Sequence, residues 1–82
     1  MLSEEQRARV KRAYEMDFPF AHAIVYAALY KGWDWLQDMG EKDLNFIRGT
    51  ETATIVYPGL KMFRNGEELE GYILHRTGEY FQ

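Results

Sequence analysis

The chain has 82 residues, so residues 1–82 are predicted to form a single small globular domain with no room for a second. Hydrophobic residues make up 46% and aromatic residues 16%, which argues against disorder because so much apolar surface can be buried. The absence of cysteine excludes disulfides and thiol chemistry, and a formal net charge of -3 gives no global attraction to nucleic acid.

The first predicted element is an amphipathic helix near 3–17. Ser3 followed three residues later by Gln6 has the spacing of a capping box, so the helix should begin there. Apolar residues recur along one side at helical spacing, and charged residues occupy the other. Pro19 disfavours helical geometry at Phe18 and suits the first position of a second helix, predicted near 19–31.

The second helix is apolar on nearly every face and is predicted to be the centre of the core. His22, Tyr26 and Tyr30 lie at i, i+4 and i+8 along it, so they share one side. They are interpreted as partly buried core residues whose polar tips are hydrogen-bonded, in preference to a binding site. Gly32 supplies the left-handed conformation that closes the helix.

A short third helix near 34–39 is predicted because Asp34 and Gln37 repeat the capping-box spacing. Beyond it, runs rich in β-branched and aromatic residues indicate strands at 44–48, 52–57, 60–64 and 69–75. Together these elements predict an α+β fold, with two or three N-terminal helices packed on a C-terminal antiparallel sheet of three or four strands.

The dipeptide Asn65-Gly66 is the strongest local signal, since a type I′ turn needs positive φ at both central residues. The turn fixes a register between the last two strands. Three cross-strand pairs follow from it, namely Arg64 with Glu67, Met62 with Leu69 and Lys61 with Glu70.

Catalytic, metal and cofactor sites are not predicted. His22 and His75 lack neighbouring ligands at metal-site spacing, and Ser3, the only serine, occupies a helix cap. The glycines follow no phosphate-binding pattern. The chain is therefore predicted not to be an enzyme, and a small enzyme or ligand-binding domain using either histidine ranks third among the functional hypotheses.

A basic cluster on the first helix supports the second hypothesis, association with nucleic acid. The cluster consists of Arg7, Arg9, Lys11 and Arg12. Acidic residues lie three or four positions away from these cations, as Glu5 does from Arg9 and Glu15 from Lys11. Because such pairs neutralise one another along a helix, the cluster is interpreted first as a solvated face.

The leading hypothesis is a small protein-binding module, an adaptor or inhibitor of the kind that phages and other mobile elements encode, which covers a surface of a larger protein. Trp33 and Trp35 flank Asp34, and at least one of the two rings is expected to face outward as a binding hot spot, with packing in the core as the open alternative. The acidic residues expected to take part are Glu67, Glu68 and Glu70. Homodimerisation is an open alternative.

A cytoplasmic location is expected from the N-terminus and from the apolar segments. The first residues lack the basic-then-apolar order of a signal peptide. The longest weakly charged stretch, residues 18–30, is too short to span a bilayer. No membrane partner is predicted.

Overall fold

A computed structural model describes residues 1–18, 20–36, 43–57, 61–69 and 81. Within these ranges, two helices precede five strands: α1 (Glu4–Ala13), α2 (Ala21–Tyr30), β1 (Asp34–Trp35), β2 (Asp43–Arg48), β3 (Glu51–Val56), β4 (Lys61–Arg64) and β5 (Glu67–Leu69). The strands form one antiparallel sheet in the order β1-β2-β3-β4-β5. The predicted α+β class is confirmed, although the sheet has one strand more than the upper prediction.

Helix α1 begins as predicted and ends early. The Ser3 hydroxyl accepts from the Gln6 amide at 3.1 Å, and the Gln6 side chain accepts from the Ser3 amide at 2.8 Å, which completes the capping box. The helix stops at Ala13 and not near residue 17, because the chain then turns through 14–18 toward α2. Neither described helix is long and apolar enough to cross a bilayer.

Helix α2 begins two residues later than predicted. Phe20 is its N-cap and has a left-handed backbone with φ of 62°, while Pro19 lies outside the described residues. At the other end Gly32 has φ of 89°, as predicted. The Trp33 amide donates to the Ala28 carbonyl and the Gly32 amide to the Leu29 carbonyl, which is the Schellman arrangement for ending a helix.

The predicted third helix at 34–39 is wrong for residues 34–36, and residues 37–39 lie outside the described ranges. Asp34 and Trp35 form strand β1 and pair with Ile47 and Phe46 of β2. The physical reason is the alternation of apolar and polar residues in Trp33, Asp34 and Trp35. An extended chain places both tryptophans on one face, and burying both rings outweighs a single capping interaction.

The hairpin between β4 and β5 has the predicted turn. Asn65 and Gly66 have φ of 52° and 86°, so both central residues are left-handed. Arg64 pairs with Glu67, and Met62 with Leu69, in the predicted register. The expected pairing of Lys61 with Glu70 falls outside the described residues.

One face of the sheet carries the core. Its fully buried side chains alternate along the strands and come from Trp35, Leu44, Phe46, Ala53, Ile55 and Met62. Helix α2 packs on this face, α1 packs against α2, and the ring of Phe81 contacts those of Trp33 and Phe46. The helices therefore form a second layer on one side of the sheet, which leaves α2 with an outer side.

Replacing Gly66 with valine tests the turn. No heavy atom beyond its chain neighbours would lie within 4 Å of an added Cβ, so the expected loss arises from backbone conformation alone. A β-branched residue at this positive φ should lower the free energy of unfolding by roughly 1–3 kcal/mol. Gly66→Asn is the matched control, because asparagine tolerates positive φ. Equal urea midpoints for the two variants would contradict the turn geometry.

Candidate interaction surface

Helix α2 has two unlike sides. The side turned to the core consists of Ala21, Ile24, Val25, Ala28 and Leu29, all buried. The opposite side presents Ala23, Tyr26 and Tyr30 to solvent, with His22 and Ala27 half-buried at its borders. Their spacing of three and four residues places these side chains on one continuous helix face.

Four aromatic side chains lie along this face and are called the aromatic stripe: Tyr14, His22, Tyr26 and Tyr30. Tyr14, from the turn after α1, stacks on His22 with ring centroids 4.0 Å apart and planes 11° from parallel. Tyr26 and Tyr30 stack at 6.2 Å and 16°. Tyr14, Tyr26 and Tyr30 are 66%, 50% and 56% exposed. The stripe thus extends along the whole of α2.

No charged residue occurs anywhere in the ten residues of α2. The solvent side of an amphipathic helix is ordinarily charged and polar, as the outer side of α1 is. The buried centres of protein interfaces have the opposite composition, since they are depleted in charge and enriched in tyrosine. The outer face of α2 therefore has the composition of an interface centre.

The interpretation of Tyr26 and Tyr30 as core residues is wrong. The sheet and α1 leave one side of α2 uncovered, and both tyrosines lie on that side and are exposed. His22 agrees better with that interpretation, because it is half-buried against Tyr14. The sequence signal for the stripe is the lack of charged residues along α2. The structure adds that one side of this helix is uncovered.

The expectation that Trp33 or Trp35 faces outward is also wrong. Their side chains are 1% and 2% exposed. The Trp33 indole nitrogen donates to the Phe81 carbonyl at 2.7 Å, which satisfies its polar atom within the core. An extended segment points residues i and i+2 to the same side, so both rings enter the core and only Asp34 between them is exposed.

Asp34 is part of an ion pair that joins α1 to β1. Arg9 donates to the Asp34 carboxylate at 2.6 Å and to the Trp35 carbonyl at 2.7 Å. The guanidinium is thereby directed toward the strand and away from the outer side of α1. Arg9 is thus a structural residue, and it does not extend a phosphate-binding row.

The rest of the basic cluster is divided. Arg7 and Lys11 are exposed on α1, whereas Arg12 lies 3.6 Å from Glu15. Among the described residues, Arg9 pairs with Asp34 and not with the predicted Glu5. Glu15 pairs with Arg12 and not with the predicted Lys11. Two of the four cations therefore already have carboxylate partners.

The acidic hairpin is exposed at the residues that the structure describes. Glu67 and Glu68 both face solvent, and Glu68 approaches Lys61 at 3.9 Å. Glu70 and His75 lie outside the described ranges. From 61 to 69, no described large hydrophobic side chain is among the exposed ones, so this tip supplies charge without an aromatic anchor.

Two arginines and a glutamate close the core over Trp33. Arg48 donates to Glu51 from Nε at 3.1 Å and from Nη2 at 2.9 Å, and Arg64 donates to the other oxygen at 3.2 Å. Both guanidinium carbons lie over the Trp33 ring, 4.5 and 5.1 Å from its centroid. Hydrogen bonding from Arg48, then its charge and the contacts of Arg64, hold the pKa of Glu51 below its ordinary 4.5 despite desolvation.

A cleft of about 420 Å³ lies between the start of α1 and the segment that follows α2. Its polar lining residues are Ser3, Glu5, Gln6, Arg9 and Asp34. Ser3 and Gln6 bond to each other in the capping box, and Arg9 bonds to Asp34. These four side chains are therefore already engaged in contacts within the protein.

Comparison with known proteins gives no relative from which function is transferred. No family model matches the chain, and no curated protein or solved structure is significantly similar to it. Function is therefore inferred from the geometry of the described residues alone.

Glu51 should titrate below 4.5 in the folded protein, which side-chain carboxyl NMR measures directly. A carboxyl whose pKa is lowered on folding stabilises the fold above its unfolded pKa, and the contribution is lost as pH falls through the folded value. Glu51→Gln should therefore remove part of the acid sensitivity of unfolding. Glu68→Gln, at an exposed pair, is the control, and an unshifted Glu51 midpoint would contradict the network.

Truncating either tryptophan should destabilise the fold. Trp33→Ala and Trp35→Ala each remove a buried aromatic ring, at an expected cost of roughly 3–5 kcal/mol in the free energy of unfolding. Tyr30→Ala is the control, since an exposed residue should change stability by no more than about 0.5 kcal/mol. Denaturant unfolding measures all three, and a tryptophan variant as stable as the control would show that ring to be exposed.

Proposed function

We propose that this protein is a small protein-binding module, an adaptor or inhibitor that covers a surface of a larger protein with its aromatic stripe. One observation carries the proposal: α2 has no charged residue, and its outer face exposes tyrosines. Exposing such a face to water is unfavourable, and a protein partner that covers it removes this cost.

The size of the exposed surface fits this role. A tyrosine buries about 150–250 Å² when fully covered, so Tyr14, Tyr26 and Tyr30 together expose roughly 350 Å². A typical monomer has a largest apolar patch of about 300–600 Å², and such patches are often functional. Tyrosine also suits contact surfaces because it supplies a large rigid area with few rotatable bonds and a hydroxyl for hydrogen bonding.

Charged residues border the stripe at both of its ends. Glu15 and Asp17 follow Tyr14 in the turn, and Lys31 follows Tyr30 at the end of α2; all three are exposed. This arrangement of an aromatic centre and a charged rim is the usual anatomy of a protein interface. The contact surface therefore belongs to α2 and the turn before it, and Trp33 and Trp35 support it from within the core.

Nucleic-acid binding is the alternative, and the observations favour it less. Exposed rings beside Arg7 and Lys11 resemble the combination that holds single strands. Arg9 and Arg12 are paired with carboxylates, however, and the net charge is -3. Because phosphate contacts supply most non-specific affinity, two available cations on α1 provide little of it.

Serine substitutions on the stripe test the proposal. The wild-type chain, immobilised and cross-linked in lysate of its native host, should capture a defined protein that is then purified. Tyr26→Ser and Tyr30→Ser should each weaken its binding by about 2 kcal/mol or more, roughly 30-fold, with the melting temperature nearly unchanged. Tyr57→Ser alters an exposed tyrosine outside the stripe and should bind as the wild type does.

Equal affinity of the stripe variants and the Tyr57→Ser control would refute the proposed surface. A labelled single-stranded oligonucleotide at low salt is the second arm of the experiment. Binding that falls steeply with added salt and is lost in Arg7→Glu with Lys11→Glu would establish the alternative instead.

A further inference from the structure

The exposed face of α2 has a shape that is complementary to itself. Tyr26 and Tyr30, four residues apart, form a ridge, and Ala23 and Ala27, also four apart, form a shallow groove beside it. A ridge of one helix fits a groove of another, and here a single helix carries both. Such a face is complementary to a second copy of itself when the two helices are related by a two-fold axis.

We propose that a second copy of this chain covers the aromatic stripe, with the two α2 helices packed antiparallel about a two-fold axis near Tyr26. The inference rests on the proposed function of the stripe as an interaction surface. It identifies a second copy of the chain as the partner of the stripe when no larger protein is bound. The alanines allow the helix axes to approach to about 8 Å, the close end of the range for packed helices.

The polar tips of the stripe match in this arrangement. His22 and Tyr30 lie four residues to either side of Tyr26, so an antiparallel pair places Tyr30 of one copy opposite His22 of the other. A phenol hydroxyl and an imidazole each donate and accept hydrogen bonds. Tyr26 of each copy lies close to the axis and packs over Ala23 and Ala27 of the other copy, as a ridge fits a groove.

The charges at the two ends are complementary as well. Lys31 caps the C-terminal end of α2, and the exposed Asp17 lies in the turn that leads into its N-terminal end, together with Glu15, which approaches Arg12 at 3.6 Å. Antiparallel packing carries Lys31 of one copy to the acidic turn of the other, at both ends of the contact. The helix dipoles are also opposed, so their end charges attract. A parallel pair would bring like charges together.

The available area sets the strength of this dimer. The tyrosines expose roughly 350 Å², and a standard interface buries about 800 Å² on each partner. A contact limited to one helix and its preceding turn is therefore a weak one that forms and separates with concentration. Such a dimer protects the apolar face in the unoccupied protein and must dissociate before the same face binds a larger protein.

Sedimentation equilibrium tests the dimer across concentrations up to about 1 mM, the dissociation constant of a weak complex. The average mass should rise from 9.7 kDa toward twice that value. Tyr26→Lys places two ammonium groups at the axis and should keep the chain monomeric with an unchanged melting temperature. Thr52→Lys adds the same charge at an exposed sheet position and should dimerise as the wild type does.

Cross-linking locates the contact, because the chain contains no cysteine and an introduced thiol is unique. Residue 23 should lie roughly 12 Å from its counterpart, given about 1.5 Å of rise per residue and closely packed axes. A short bismaleimide should therefore join two copies of Ala23→Cys and should not join two copies of Thr52→Cys.

Two results would overturn the dimer: a wild-type chain that stays monomeric at every concentration, or a Tyr26→Lys variant that dimerises normally. Neither result affects the proposed function, which falls only if the serine variants bind the captured protein normally. Loss of capture by the serine variants together with a monomeric wild type would retain the module and refute the dimer. A dimer that depends on the stripe, with unchanged capture by the serine variants, would retain the dimer and refute the proposed module.

Discussion

The packing of α2 on one face of the sheet is the interaction on which the rest of this structure depends. Ile24, Val25, Ala28 and Leu29 enter a core that includes Trp33 and Phe46. Burying a valine, leucine or isoleucine side chain contributes about 1.5–3 kcal/mol, so this helix accounts for a large part of a small domain's core. The chain that follows leaves α2 through Gly32 and places both tryptophans beneath the helix.

The same packing leaves uncovered the face that we propose as an interaction surface. A sheet covers only one side of a helix, and α1 covers part of another, so the remainder of an all-apolar helix faces water. Selection for folding alone is satisfied by polar residues at positions 23, 26 and 30, and polar residues there would lower the risk of aggregation. The proposed binding of this face, to a second copy or to a larger protein, accounts for alanine and tyrosine at these exposed positions.

Local signals in the sequence predicted local structure well. The capping box of Ser3 and Gln6, the closing Gly32 and the Asn65-Gly66 turn were each correctly identified, because hydrogen bonds and φ preferences within a few residues decide them. The α+β class followed from the order of these signals. Asp34 was predicted incorrectly from a local signal. Its capping-box spacing indicated a helix, but β1 pairs with β2, a strand that lies further along the chain.

The candidate site was predicted less well, because exposure depends on how layers assemble. The row of His22, Tyr26 and Tyr30 was visible in the sequence, but a helix that is apolar on every face does not reveal which side the sheet covers. An outward-facing ring at Trp33 or Trp35 was expected because their segment was predicted to be helical. The segment is extended instead, and an extended segment points both rings inward.

Hydroxyl-radical footprinting of the dilute protein tests most directly whether α2 keeps an uncovered aromatic face. The structure predicts that Tyr14, Tyr26 and Tyr30 are oxidised readily while Trp33 and Trp35 are protected, and that the three tyrosines become protected together when the face is occupied. If Tyr26 and Tyr30 were as protected as the tryptophans in the isolated dilute chain, the face would be covered by the chain itself and would not be an interaction surface.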